Sequence, residues 1–417
     1  MIHKFLNFLH TNKIDYAIIN GVKNLFSKSK ELDDVDILFK KNDFKIIESI
    51  LGDFCKKENF KIVQIYHQEV FAKNIFIYNS ASGEILNLDI YGVLHAFNVV
   101  YFDETTIFNK RIQYKDVFKI ANNQEFFHYL LKKVCKREVS KKTFNTLRKL
   151  YVSDKENCKK ILAEHLINTS NKIIKSFEED DYDAFNQIID YVFKDIKRQS
   201  ATLNYKIKDK IRIVKRILKP TGISIAFLGS DGSGKTTIID RVTAAVLPFR
   251  KTQYFHLKPI YTKSENSGVT SDPHKFKPYG ALKSYVKLLY FFVQYNFGWL
   301  KNILPLKISS TLIIFDRYFD DLIVDNKRYR YGGGVTIASF FRRFIKKPSL
   351  YFVLTAEPEI IFKRKQEVTF EELKRQINGY RALTKNKNYV HINVDNSPDK
   401  IVKEVVNTLM NKMHERL

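Results

Sequence analysis

The sequence predicts an α/β protein in two parts. The C-terminal part should hold a parallel sheet flanked by helices, and the N-terminal part an α+β domain with a helical tail. Three observations carry this. After Gly222, short apolar strand candidates alternate with helical segments, the signature of a parallel sheet with helical crossovers. Between Tyr16 and Tyr91 the apolar runs alternate with period two and are rich in β-branched residues, as in a small mixed sheet. From about Gln124 to Lys219 the period becomes helical, as in Phe126, Phe127, Leu130, Leu131 and Val134.

Element by element, the N-terminal part reads as a strand at Tyr16–Asn20, a turn at Gly21, a strand at Asp34–Phe39 and a helix at Phe44–Leu51. Strands follow at Phe60–Tyr66, Asn74–Tyr78 and Ile85–Tyr91. The later strands are expected at Ser224–Leu228, Gln253–Leu257, Thr311–Phe315, Leu350–Leu354 and Tyr389–Val394. Pro220-Thr221-Gly222 interrupts the helical pattern, and the main boundary is expected there. The division is then 1–150, a helical tail or linker at 151–219, and 220–417. A length of 417 residues accommodates two such cores.

The formal net charge is +26, from 71 Lys plus Arg against 45 Asp plus Glu. That balance attracts anions such as nucleotides, phosphorylated substrates or an acidic membrane face. Nucleic acid is not an expected partner, because no helix-turn-helix, zinc-finger or RNP pattern occurs. A nucleic-acid-associated ATPase or regulatory binding protein stays as an alternative on charge alone. The three cysteines, Cys55, Cys135 and Cys158, form neither a zinc pattern nor an even disulfide framework, so a cytoplasmic location is expected. Met1–His10 carries an apolar stripe at helical spacing and lacks the pattern of a signal peptide. Leu282–Leu306 is aromatic and apolar but broken by Lys283, Lys287 and Lys301. It is expected to be a buried or interfacial helix, with peripheral association at an anionic inner membrane face.

Gly229-Ser230-Asp231-Gly232-Ser233-Gly234-Lys235-Thr236 fills every fixed position of G-x-x-x-x-G-K-[ST], between a strand and a helix that continues through Thr237. Gly232 and Gly234 let the backbone turn around a phosphate, and the helix N-terminus favours negative charge. Lys235 supplies a cation for the β- and γ-phosphates, and the Thr236 hydroxyl can ligate Mg²⁺. ATP and Mg²⁺ are therefore the expected cofactors, with Gly229, Ser230, Ser233 and Thr237 completing the nucleotide loop. Asp316-Arg317-Tyr318 follows the strand at Thr311–Phe315, where ligands of open α/β sheets gather. Asp316 there is a second candidate for Mg²⁺, and Arg317 can clamp an anionic acceptor.

These motifs make 222–417 resemble the thymidylate kinase group of P-loop kinases. The resemblance implies that Asp231 faces the acceptor and that Asp316-Arg317-Tyr318 is the family's Asp-Arg-Tyr element. It also implies a basic lid at Lys363, Arg364 and Lys365, after Leu354-Thr355-Ala356-Glu357-Pro358, with Arg364 reaching the transferring phosphoryl group. The family's acceptor-side Arg-Pro-Gly element is absent. Asp320 to Gly334, with Lys365-Gln366-Glu367-Val368, looks like divergent thymidylate-kinase-like proteins of bacterial surface-polysaccharide gene sets. For that subgroup the implied acceptor is a sugar, polyol or sugar-phosphate precursor of a surface glycan. A genuine thymidylate or nucleoside monophosphate kinase is the alternative.

Near the N-terminus, Asn20-Gly21-Val22, Asp34-Val35-Asp36-Ile37 and Leu88-Asp89-Ile90 resemble the nucleotidyltransferase superfamily over roughly residues 15–152. Asp34 and Asp36 lie two apart on one strand and so face one side, where a divalent cation would offset their repulsion. The resemblance implies metal binding by Asp34 and Asp36. It gives Asp89 the role of third ligand or proton acceptor, in a second activity beside the kinase.

Overall fold

The computed structural model describes residues 1–22, 24–26, 35–96, 99–137, 139–198, 203–245, 247–260 and 276–417. The chain forms two compact units, Met1–Val214 and Lys215–Leu417. The division falls inside the helix Leu203–Leu218, upstream of the break at Pro220.

In the first unit the strands are β1 (Tyr16–Ile18), β2 (Val35–Phe39), β3 (Lys61–Glu69), β4 (Ala72–Tyr78) and β5 (Ile85–Tyr91), then a small pair, β6 (His95–Ala96) and β7 (Val99–Val100), and finally β8 (Ile112–Tyr114) and β9 (Val117–Lys119). A seven-stranded sheet runs β3-β4-β5-β2-β1-β9-β8. Its β2–β5 and β1–β9 pairs are parallel and the other neighbours antiparallel. Period-two alternation gives each face its own core. Ile37, Phe39, Ile75, Ile77, Leu88 and Ile90 pack with Phe5, Leu6, Leu51 and Phe54 of the helices Ile2–Thr11 and Ile47–Glu58.

Ala17, Ile19 and Leu38 instead share a core with Phe126, Leu130, Phe144, Leu147, Cys158, Leu162, Phe177, Phe185 and Ile196. Within the segment expected as a tail or linker, buried residues from Tyr151 to Ile196 belong to this unit's core. Phe177 stacks 5.4 Å from Phe144 and lies 5.1 Å from Phe185. The β8–β9 hairpin was not anticipated. Its strands are three residues each, too short to show periodicity, and Lys115 makes the turn at φ 52°.

The second unit holds β10 (Ile223–Leu228), β11 (Lys251–His256), β12 (Thr311–Asp316), β13 (Leu350–Thr355) and β14 (Tyr389–Asn393). All five strands are parallel, in the order β11-β12-β10-β13-β14. β10 and β13 are buried at every residue, which is why they read as continuous apolar runs rather than alternating ones. The helix Lys235–Ala244 packs against β10, β12 and the C-terminal helix Pro398–His414.

Leu282–Leu306 spans the helix Ala281–Gly298, a π-turn at Trp299–Ile303 and the start of Leu304–Ile308. Leu288, Phe291, Tyr295, Ile303 and Leu306 are core residues alongside Ala226, Leu228, Ile313 and Phe315. No described helix is long and apolar enough to cross a membrane.

Candidate functional site

The loop Gly229–Thr236 leaves the C-terminal end of β10, and β12 ends beside it, with Phe227 in register with Asp316. The loop's shape is dictated by its glycines. A Cβ on Gly229 would stand 2.5 Å from the Leu354 carbonyl oxygen. Gly234 holds φ 78° as the N-cap of Lys235–Ala244, a left-handed conformation that costs other residues free energy. Lys235 is buried, and its Nζ donates to the carbonyls of Gly229 and Ser230, both at 2.9 Å. Thr236 and Thr237 are exposed on a cleft of about 340 Å³ that Asp231, Lys235, Asp316 and Arg317 also line.

Opposite the loop, Arg317 adopts φ 70°, a strained conformation for a residue with a Cβ. Its backbone N–H donates to the Phe227 carbonyl at 2.9 Å, which ties the strained residue to β10. Its guanidinium is almost fully buried and bridges two carboxylates. It donates to Asp321 at 2.7 Å and to Asp231. Arg328 donates to the other oxygen of Asp231. Asp321 is fully buried and also accepts the hydroxyl protons of Tyr329, at 2.8 Å, and of Tyr380. Burial alone would raise the Asp231 pKa, but Arg317, Glu367, Lys235 and Arg328 hold it far below the usual carboxylate range. Asp231 is therefore an anion locked between two cations.

The donor set fits Mg·ATP. Ser230 Oγ, Ser233 Oγ and Asp316 Oδ1 are buried and have no hydrogen-bond partner among the described residues. Such atoms are costly unless a ligand satisfies them. Asp316 Oδ2 accepts from the Tyr254 hydroxyl at 3.2 Å. Burial raises the Asp316 pKa, and His256, Lys235 and Arg317 together outweigh that and hold it low. Thr236 and Asp316 are the residues that would hold the Mg²⁺.

The structure brings together Asp231, Gly232, Gly234, Lys235, Thr236, Thr237, Asp316 and Arg317 at one cleft. Arg364 is not among the lining residues. It ends the helix Pro358–Arg364 and donates to the Val394 carbonyl at 3.2 Å. Lys365 takes the place beside the loop, because the chain turns extended there (φ −157°, ψ 126°). A Cβ on Gly232 would lie 3.0 Å from the Lys365 Cβ. Helical spacing could not locate a residue just past the helix end. Arg328 and His256 also line the cleft and were not singled out from sequence. The signal for Arg328 was its place in the basic, aromatic run after Asp316.

In the first unit, Asp36 and Asp89 are register partners on the parallel strands β2 and β5, and both are buried. Asp36 accepts from Asn20 at 3.0 Å and from Lys132 at 3.3 Å. Asp89 accepts from Asn74 at 2.6 Å and Gln68 at 3.3 Å. Asp34 lies outside the described residues. Among the described residues no group of three or more His, Cys, Asp or Glu side chains is placed to hold a metal ion. Asp36 and Asp89 are register neighbours there, and Lys132 supplies a positive charge to Asp36.

No family model matches the chain, and no curated protein matches it. Among solved structures, the chain is similar to a thymidylate kinase from Ehrlichia chaffeensis at 19% identity and TM-score 0.32, over 46% of this chain and 100% of the other. It is also similar to a thymidylate kinase from Candida albicans at 18% identity and TM-score 0.35, over 46% of this chain and 93% of the other.

Proposed function

We propose that Lys215–Leu417 transfers the γ-phosphoryl group of Mg·ATP to a small acceptor that already carries an anionic group. A sugar phosphate on the way to a surface glycan is the acceptor we favour. The observation that carries this reading is the convergence of Arg317 and Arg328 on Asp231 at the mouth of the phosphate loop. A neutral hydroxyl acceptor needs a base to take its proton. Asp231, held between two guanidiniums, is a poor base. An acceptor phosphate is already ionised and needs cations instead, which guanidiniums supply through paired hydrogen bonds. Asp231 would release these arginines to the acceptor and orient them. Lys235 would neutralise the phosphates of ATP, and Mg²⁺ would supply further charge neutralisation when bound by Thr236 and Asp316. Catalysis by such a site consists of positioning and electrostatic stabilisation.

The test is ADP release across a panel of sugar phosphates, nucleoside monophosphates including thymidylate, and neutral sugars and polyols. Turnover should require a phosphate on the acceptor. Arg328→Ala should raise the acceptor KM by about tenfold or more, the loss of a charge-assisted pair, and leave the ATP KM nearly unchanged. Efficient turnover of a neutral polyol would sink the anionic-acceptor reading. Preferred turnover of thymidylate would make the unit a nucleoside monophosphate kinase.

The pH dependence offers a second check. Burial, aided by the charge of Arg317, pushes the Lys235 ammonium down to about 8. The charged form binds phosphate and is lost as pH rises through that value. The kcat/KM for ATP is thus expected to fall above about pH 8, approaching roughly tenfold per pH unit. A flat profile from pH 7 to about 10 would contradict it.

For Met1–Val214 we propose nucleotidyl transfer, supported by the adjacency of Asp36 and Asp89 on β2 and β5. Pyrophosphate release in the same panel reads it out, and its absence with every nucleoside triphosphate would remove it.

A further inference from the structure

The helix Leu203–Leu218 turns its apolar side away from the first unit's residues that it touches. On its inward side the buried residue is Tyr205, whose ring lies 5.8 Å from Phe71 and 6.4 Å from His95. Arg212, on the same side, donates to the His67 carbonyl at 2.9 Å and pairs with Asp209 at 2.8 Å. Outward, Leu203, Ile207, Ile211, Val214 and Leu218 follow one another at three- and four-residue steps, and each is at least half exposed (50% to 75%). Lys208, Lys215 and Lys219 flank this stripe on one side; on the other, Lys206 and Lys210 are interspersed with Ile213 and Ile217, which widen the apolar face, and all seven are exposed. The acid of the helix, Asp209, is tied to Arg212.

A helix of a soluble protein normally buries its apolar stripe, so a continuous exposed one marks a contact surface. An exposed apolar face bordered by lysines on one side and interspersed with them on the other matches a helix that lies in the plane of a membrane surface. The lysine stems extend along the apolar face while their charges reach the headgroups. A second copy is a poorer occupant, since it would set one lysine array against another with no carboxylate between them. The helix Ala281–Gly298 lacks this division. It has apolar residues on its buried and its exposed sides alike, such as Leu288 and Phe291 inward and Leu289 and Val293 outward.

We propose that Leu203–Leu218 is a docking helix for an anionic bilayer, with Leu203, Ile207, Ile211, Val214 and Leu218 inserted among the acyl chains and the flanking lysines on the headgroups. The proposal stands apart from the kinase reading and survives its failure.

Vesicle flotation of the full chain tests it, with phosphatidylglycerol-containing vesicles compared with phosphatidylcholine alone. The wild type should float with the anionic vesicles and not with the neutral ones, and added salt should release it. Ile207→Asp/Ile211→Asp should lower the floated fraction about tenfold, because charges replace the inserted side chains. Lys208→Glu/Lys215→Glu should do the same through the flanks. Circular dichroism should show both variants folded, since the altered side chains are exposed. The proposal is overturned if the wild type fails to float, or if both variants float as well as it does. It is equally overturned by a wild-type dimer that does not float and that Ile207→Asp/Ile211→Asp converts to a monomer, which would make the stripe a self-association face.

Discussion

Lys235→Ala is expected to lower kcat for phosphoryl transfer by about 10³-fold or more, roughly 4 kcal/mol of transition-state stabilisation. The magnitude follows from where the charge sits. Lys235 is buried at the base of the loop, where water cannot replace it, and its ammonium is held by the Gly229 and Ser230 carbonyls. Charge developing on the transferred group would lose a cation in a poorly screened site. The fold should survive, because the other loop contacts are backbone features set by Gly229 and Gly234. Rapid-quench measurement of ADP formation, beside circular dichroism of the variant, checks both halves. Near-normal turnover in a folded variant would remove Lys235, and with it the phosphate-loop assignment, from the mechanism.

Asp321→Ala is expected to cost about 3–5 kcal/mol of stability, the usual effect of removing one partner from a buried ion pair. Asp321 has no exposed surface, and three donors depend on it: the Arg317 guanidinium and the hydroxyls of Tyr329 and Tyr380. Alanine would leave all three without their acceptor. Arg317 would then rest on Asp231 alone, so activity should fall along with stability. Urea denaturation measures the loss, and a shift in melting temperature of roughly 10 °C is the thermal counterpart. Asp321→Asn keeps an acceptor oxygen without the charge and should fall between wild type and alanine. A cost below about 1 kcal/mol for the alanine variant would mean that the network is not the anchor of Arg317 described above.

Much of the second unit was legible because its chemistry is local. The loop Gly229–Thr236 is eight consecutive residues whose glycines and lysine have backbone or charge requirements that are met locally. β10, β12 and β13 are apolar runs bounded by polar residues, and each extends one residue beyond its expected bounds. In the first unit β5 matches Ile85–Tyr91 residue for residue. The short hairpin β8–β9 and the packing of Asn122–Arg198 onto the sheet were not legible. Three-residue strands carry no period, and a helical pattern says which face is apolar but not what covers it.

The site shows the same split. Asp231, Lys235, Thr236, Asp316 and Arg317 were visible as motif residues, and all of them line the cleft. The sequence could not show that both Asp231 oxygens are taken by Arg317 and Arg328, partners 86 and 97 residues away. It could not show that the helix ending at Arg364 puts Lys365, rather than Arg364, beside Gly232. By itself the sequence determined the longer apolar strands and the glycine-rich loop Gly229–Thr236, because those depend on spacing along one chain segment. Only the tertiary structure decided which charges neutralise one another and which apolar stripe faces outward. Pairing and burial join segments far apart in sequence, and no local spacing encodes them.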